Sequence, residues 1–281
     1  MRKNKNTPKI YNFEKVKAYW YGDTLEITNA IGLERQSIII LPEKEYLVIS
    51  TGEIKKMNTE NRTRKDDLKS VRKTMKKLTR LISNNFHGGN NELWITLTFR
   101  EHITDTETAY ELFEKFINRL KYRYKNLAYI SVIEPQASGR WHFHVLLKDT
   151  TENKLYIKNE ELAEIWSNGF TKVKRIKDSD NVANYLIAYL TDLNIEDSDS
   201  VNKPSKKIEK GLRLHLYPKG LRIFRASRNI KKVETKTDSK WKIMKEFDIN
   251  KNPNFVGKFE IKIADDKKYI NYTEFYDDIS K

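Results

Sequence analysis

Trp141-His142-Phe143-His144-Val145-Leu146-Leu147-Lys148 is the stretch from which the fold reads outward. Its length and its apolar and aromatic content predict a strand over 141–148. Side chains alternate along a strand, so both imidazoles face one side while Trp141, Phe143, Val145 and Leu147 face the other. At roughly 3.3 Å per residue, the Cα atoms of His142 and His144 lie about 6.5 Å apart, close enough for two imidazoles to converge on one divalent ion. The chain has 5 histidines, and two of them stand here.

On either side of this strand the hydrophobic period switches between two and 3.6. Leu93, Ile95, Leu97 and Phe99 alternate with Trp94, Thr96 and Thr98, predicting a strand over 93–99. Leu112, Phe113, Phe116, Ile117 and Leu120 share one face of a helix expected over 106–124. A strand over 128–134 stops at Pro135, and 136–139 is a turn. A short helix over 159–167 ends at Asn168-Gly169, a strand follows over 170–176, and a helix over 182–193. A basic helix over 64–83 precedes the whole. The order strand, helix, strand, strand, helix, strand, helix predicts an α+β fold, a split βαβ antiparallel sheet with helices packed on one face. At the flanks, residues 10–50 suggest short strands around Gly22-Asp23, and 258–276 a hairpin around Asp265-Asp266.

Composition narrows the function. The chain has 281 residues, 38% hydrophobic and 33% charged, with a formal net charge of +15. That charge predicts a polyanionic partner. The longest apolar run, around Ile38-Ile39-Ile40-Leu41, falls far short of the roughly 20 residues of a membrane span, and no signal core follows the basic N-terminus, so a cytoplasmic protein without a membrane partner is expected. No cysteine is present, which leaves His, Asp and Glu as metal ligands. Cations cluster twice: eleven Lys/Arg against four Asp/Glu from Glu53 to Arg80, and eleven against Glu209 alone from Lys203 to Lys232. In the second run apolar residues such as Leu212, Leu214, Ile223 and Phe224 interleave, as on a folded surface facing phosphates, and Arg222, Arg225 and Arg228 are its candidate DNA contacts. The acidic stretch 192–200 reads as a linker. The expected division is an N-terminal extension over 1–60, a central domain over 61–195 and a basic C-terminal region over 196–281.

Three groups of residues carry candidate chemistry. Glu134 ends the strand before the His pair, and the turn returns the chain beside it. A carboxylate with two imidazoles suits Mg²⁺ or Mn²⁺. Gln136 is the alternative third ligand. Tyr185 and Tyr189 lie one turn apart on the last helix, where they serve either as nucleophiles or as flanks of the apolar stripe of Val182, Leu186, Leu190 and Leu193.

The ordered set Ile95-Thr96-Leu97-Thr98-Phe99, then Glu134-Pro135-Gln136 to His142-Phe143-His144, then Tyr185-Leu186-Ile187-Ala188-Tyr189 resembles the three motifs of rolling-circle replication initiators. These are the His-hydrophobic-His endonucleases of small plasmids, single-stranded DNA phages and circular DNA viruses. The resemblance spans 93–193. It implies that His142 and His144 hold the metal with Glu134 as third ligand, and that Tyr185 or Tyr189 attacks the scissile phosphate, Tyr185 matching single-tyrosine relatives. It implies a 5′-phosphotyrosine, a free 3′-hydroxyl, strand transfer, and a single-stranded or hairpin origin as substrate in a bacterial host. A host polymerase would extend the 3′ end, and a host helicase would unwind, since no Gly-x-x-x-x-Gly-Lys loop is present. The family usually has lysine where this chain has Ala188 and Asp192; Lys172, Lys174 or Arg175 on the preceding strand are the candidate substitutes for DNA binding. Trp94 and Trp166 are candidate stacking platforms for bases. Two other readings share these residues: a non-catalytic single-strand binder of RRM-like fold, and a transposition or mobilisation nickase.

Overall fold

The computed structural model describes residues 7–31, 38–57, 63, 68–136, 138–151, 153–176, 213–262 and 268–279. The expected helix over 182–193, with Tyr185 and Tyr189, and the linker over 192–200 lie outside the described residues. The chain divides into two compact units, Asn61–Lys232 and the pair of segments Met1–Glu60 and Val233–Lys281.

In the segment Met1–Glu60 the strands are β1 (Lys15–Tyr21), β2 (Thr24–Thr28), β3 (Ile38–Leu41), β4 (Glu45–Val48) and β5 (Ile54–Lys56). Gly22, at φ 57, allows the tight turn between β1 and β2, whose pairing closes at Tyr21 and Thr24. The strands β3, β4 and β5 pair in that order as a small sheet of their own.

The unit Asn61–Lys232 contains α1 (Leu68–Ser83), β6 (Glu92–Thr98), α2 (Thr106–Arg123), β7 (Leu127–Pro135), β8 (Trp141–Asp149), α3 (Asn159–Trp166), β9 (Thr171–Arg175) and β10 (Phe224–Ala226). Its sheet runs β10-β7-β8-β6-β9, antiparallel at every pairing. β8 lies between β6 and β7, which α2 connects, so the α+β split βαβ arrangement expected from the period switches is the one observed.

Aromatic packing fixes α2 on the sheet. Asp105 caps the helix by accepting from the Thr108 N–H at 2.7 Å. Phe113 then stacks on Phe143 of β8, ring centroids 4.4 Å apart, and Tyr110 meets the same ring edge-on. Phe116 meets Trp166 of α3 at 90°. Such pairs contribute about 0.5–1.5 kcal/mol each beyond the area they bury. Val71, Met75, Leu78 and Ile82 of α1 join the same core. The i, i+3/i+4 spacing of that apolar stripe leaves Arg72, Lys73, Lys76 and Lys77 exposed. Ala128, Ile130, Val132 and Leu146, on the face opposite Phe143, are buried as well.

The other unit is completed by the C-terminal segment: β11 (Glu234–Ser239), α4 (Lys240–Glu246), β12 (Phe255–Lys262) and β13 (Lys268–Tyr276). Its larger sheet runs β11-β1-β2-β13-β12. Val16, Ala18, Leu25, Ile27, Ile243 and Tyr276 form its core. A buried ion pair at 2.7 Å joins Lys240 to Glu274, which also accepts from the N–H groups of Lys9 and Ile10 and from the Tyr276 hydroxyl. The expected terminal hairpin is present as β12 and β13.

The sequence treats 196–281 as one basic C-terminal region. In the structure that region is divided. Leu214, Tyr217, Ile223 and Ile230 belong to the core of the central sheet, and Val233–Lys281 pairs with the N-terminal strands.

Candidate metal centre

Strand register builds the centre. Glu134 stands opposite His142 across the β7–β8 ladder, and His144 stands between Val132 on β7 and Thr96 on β6. Directly opposed residues point to the same side of a sheet. Glu134, His142, His144, Thr96 and Thr98 therefore share one face, away from the Phe143 side. The structure brings together Glu134 Oε2, His142 Nε2 and His144 Nε2. The carboxylate oxygen is 3.2 Å from His142 and 3.1 Å from His144, and the two Nε2 atoms are 3.1 Å apart. Gln136, the alternative ligand, lies beyond the strand end, where its N–H donates to the Arg140 carbonyl and closes the turn.

Three donor atoms at these separations fit one ion. Adjacent ligands of an octahedral ion with bonds of roughly 2.1 Å lie about 3 Å apart. The protonation states agree. Burial acts to raise Glu134, but hydrogen bonds and charge from His142 and His144 outweigh it and hold the carboxyl down to about 2. Burial lowers His144, and the charges of His142 and Lys174 act in the same direction against Glu134. An ionised carboxylate and a neutral imidazole are the forms that ligate. His142 Nδ1 is buried without a hydrogen-bond partner.

The surroundings orient the ligands. His144 Nδ1 lies 3.4 Å from Thr96 Oγ1 and 3.3 Å from Trp94 Nε1. The indole only donates, whereas the hydroxyl can also accept. Accepting from Nδ1–H, Thr96 would leave the Nε2 lone pair directed at the centre. On the far side Arg213 Nη1 donates to Glu134 Oε1 at 3.1 Å and to the Pro135 carbonyl at 3.1 Å.

The cations singled out in the sequence separate into two groups. Lys172 and Lys174 are exposed on β9, in register with Thr96 and Trp94, and so lie on the face of the centre. Arg175 has the opposite parity, and its guanidinium donates to the carbonyls of Asn90 and Leu155. Arg225 is in register with Ser131, also on the opposite face, where it pairs with Glu114 at 2.6 Å and lies 3.5 Å over the Tyr110 ring. Both are therefore corrected from DNA contacts to structural cations. The side chains of Arg222 and Arg228 are exposed, and the Arg222 carbonyl accepts from the Tyr110 hydroxyl. Trp166 is corrected as well: it is fully buried and donates to the Thr98 carbonyl, so no base can stack on it. Trp94 is partly buried and meets the His144 ring edge-on.

Arg213 is the residue that the sequence reading missed. It lies 79 positions from Glu134, and only its place in the basic run 203–232 marked it.

Comparison with known proteins places this centre in context. Residues 92–194 match the model of a family of replication-associated proteins, the ORF2 type. The phasyl DNA replicon protein arp of Escherichia coli is 45% identical over 62 residues, a stretch that covers 22% of this chain and 21% of that protein. No solved structure matches. The resemblance to replication initiators carried by the motifs is thus supported by a family model and a relative. No described helix is long and apolar enough to cross a membrane.

Proposed function

We propose, on the premise that 92–194 is a replication-associated segment, that the protein initiates rolling-circle replication by nicking one strand of its origin. The observation that carries this reading is the convergence of Glu134, His142 and His144 within 3.1–3.2 Å inside that segment. These three residues would hold Mg²⁺ or Mn²⁺. A divalent ion there supplies Lewis-acid polarisation of a phosphate oxygen and offsets charge in the transition state.

The chain's own residues do the rest. Tyr185 or Tyr189, assigned from the motif, attacks phosphorus with its phenol oxygen. The bond from phosphorus to the 3′ oxygen breaks, the phenol loses its proton and the departing 3′ oxygen gains one. The products are a 5′-phosphotyrosine and a 3′-hydroxyl, which a host polymerase extends after a host helicase unwinds the duplex. A second tyrosine permits a second cleavage and rejoining of the displaced circle. Thr96 orients His144, and Lys172 and Lys174 attract the strand to the face of the centre.

The test is a denaturing gel of labelled single-stranded fragments tiled across the replicon, with Mn²⁺ or EDTA. Wild type, Tyr185→Phe, Tyr189→Phe and the double variant are compared. A protein-linked band that needs metal and vanishes in the double variant is expected, and the single variants name the nucleophile. DNA binding without any adduct, indifferent to EDTA and weakened by salt, would sink the nickase reading in favour of a single-strand binder.

A further inference from the structure

Arg213 begins a short 3-10 turn over Leu214–Leu216 and is held in place by its neighbours. Leu214 and Tyr217 are buried at 2% and 1% exposure. The Tyr217 hydroxyl donates to the Ile133 carbonyl at 3.0 Å, and its ring meets Trp141 edge-on. Ile133 precedes Glu134 on β7 and Trp141 precedes His142 on β8, so the turn is anchored on the strands that carry the ligands. From there the Arg213 side chain reaches Glu134 through Nη1 alone. Nε and Nη2 make no hydrogen bond among the described residues, and the side chain is 42% exposed.

A clamp for Glu134 needs no positive charge. A guanidinium fixed on a ligand carboxylate draws charge from that ligand and repels a divalent ion beside it. The arrangement becomes favourable when an anion joins the two cations. The Nε–Nη2 edge is the fork that grips phosphate through two parallel hydrogen bonds. An oxygen of a phosphodiester seated at the centre lies within its reach, since Arg213 and the centre share the two oxygens of one carboxylate.

We infer that Arg213 is a phosphate-gripping residue of this centre: Nη1 holds Glu134 while the Nε–Nη2 edge binds the phosphodiester that the centre receives. This rests on the reading of Glu134, His142 and His144 as a phosphate-handling site. Origin cleavage by the wild type tests that reading, whereas the binding measurements below test Arg213 whether or not an origin is cut.

The experiment compares wild type, Arg213→Gln and Arg213→Lys by thermal melting, by Mn²⁺ titration calorimetry without DNA, and by binding of a thymidine 20-mer in Mn²⁺ across a salt series. For Arg213→Gln the expected result is Mn²⁺ affinity within about threefold of wild type or higher, DNA affinity about tenfold weaker, and a salt slope shallower by about 0.7, the value for one lost phosphate contact on a single strand. Arg213→Lys restores the slope but not the affinity, because a point charge replaces a fork. Unchanged DNA affinity and slope in Arg213→Gln would overturn the inference, and so would loss of Mn²⁺ affinity in parallel with DNA affinity, which marks a mere clamp. If Arg213→Gln melts early, Arg213→Lys decides: it retains a donor for Glu134 and the charge, so wild-type DNA affinity in that variant refutes the fork.

Discussion

Glu134 stands directly across the β7–β8 ladder from His142, and its Oε2 lies 3.2 Å from the His142 Nε2. Parity made this placement ambiguous in the sequence, because Val132 and Ile130 share the face of Glu134 and look like core. They are core: the face that carries the centre is apolar and buried at one end of β7 and becomes a ligand site at the other.

That relationship makes a prediction about metal affinity. Titration calorimetry with Mn²⁺ should show one site per chain. His142→Ala or Glu134→Ala should weaken it more than about 100-fold, and Thr96→Val, which removes only the group that orients His144, by about 10–100-fold. Equal losses for Thr96→Val and His142→Ala would show that Thr96 does more than orient.

Acid should destabilise the metal-free central unit through the same residues. Glu134 is lowered from 4.5 to about 2, so it contributes stability that is full above 4.5 and is lost as pH falls toward 2. His144 is lowered from 6.5, so its neutral folded form begins to lose stability as pH drops below 6.5, where the unfolded chain takes up the proton first. Both slopes have the same sign. Melting temperature should fall from pH 7 to pH 3, and the fall should be shallower in Glu134→Gln. A wild-type melting temperature flat over that range would contradict the assignment.

Phe143→Ala removes the ring on which Phe113 stacks and leaves a cavity between α2 and β8. A loss of about 3–5 kcal/mol is expected from such truncations, read by urea denaturation. Phe143→Leu should recover much of it.

Gly169 makes a close approach that no side chain tolerates. A Cβ there would lie 2.3 Å from the Thr98 carbonyl oxygen and 2.5 Å from the Arg100 nitrogen, at a φ of +151. Gly169→Ala should cost more than about 1 kcal/mol in chemical denaturation. It should also reduce Mn²⁺ affinity by shifting the end of β6 beside His142.

In the other unit, Lys240→Ala or Glu274→Ala leaves its partner charge buried and alone. Each should cost about 3–5 kcal/mol in thermal or chemical melting, whereas the apolar pair Lys240→Met with Glu274→Leu should recover much of the loss.

The central sheet was legible because its signals are local. Alternation in 93–99 and 141–148, the stripe from Leu112 to Leu120 and the stop at Asn168-Gly169 each depend on neighbours within a few residues. The His pair was legible for the same reason. Charge was not. Lys172 and Arg175 look alike in a sequence, yet one faces solvent beside the centre and the other is spent on two carbonyls. Arg225 could not be separated from Arg228 without knowing that Glu114 and Tyr110 lie beside it. Trp166 offered a large ring but no sign that Phe99 and Phe116 enclose it. The pairing of β1 with β11 and of β2 with β13 joins segments more than 200 residues apart, beyond any periodicity.

That last pairing governs the order in which the protein can be made. β1 and β2 leave the ribosome early, but their sheet neighbours arrive only with residues 234–239 and 268–276. The central unit can close while the nascent N-terminal strands still wait with open edges, a state in which strands pair wrongly or aggregate. Slow translation or a chaperone through the last fifty or so residues should therefore raise the soluble yield more than the same help given earlier.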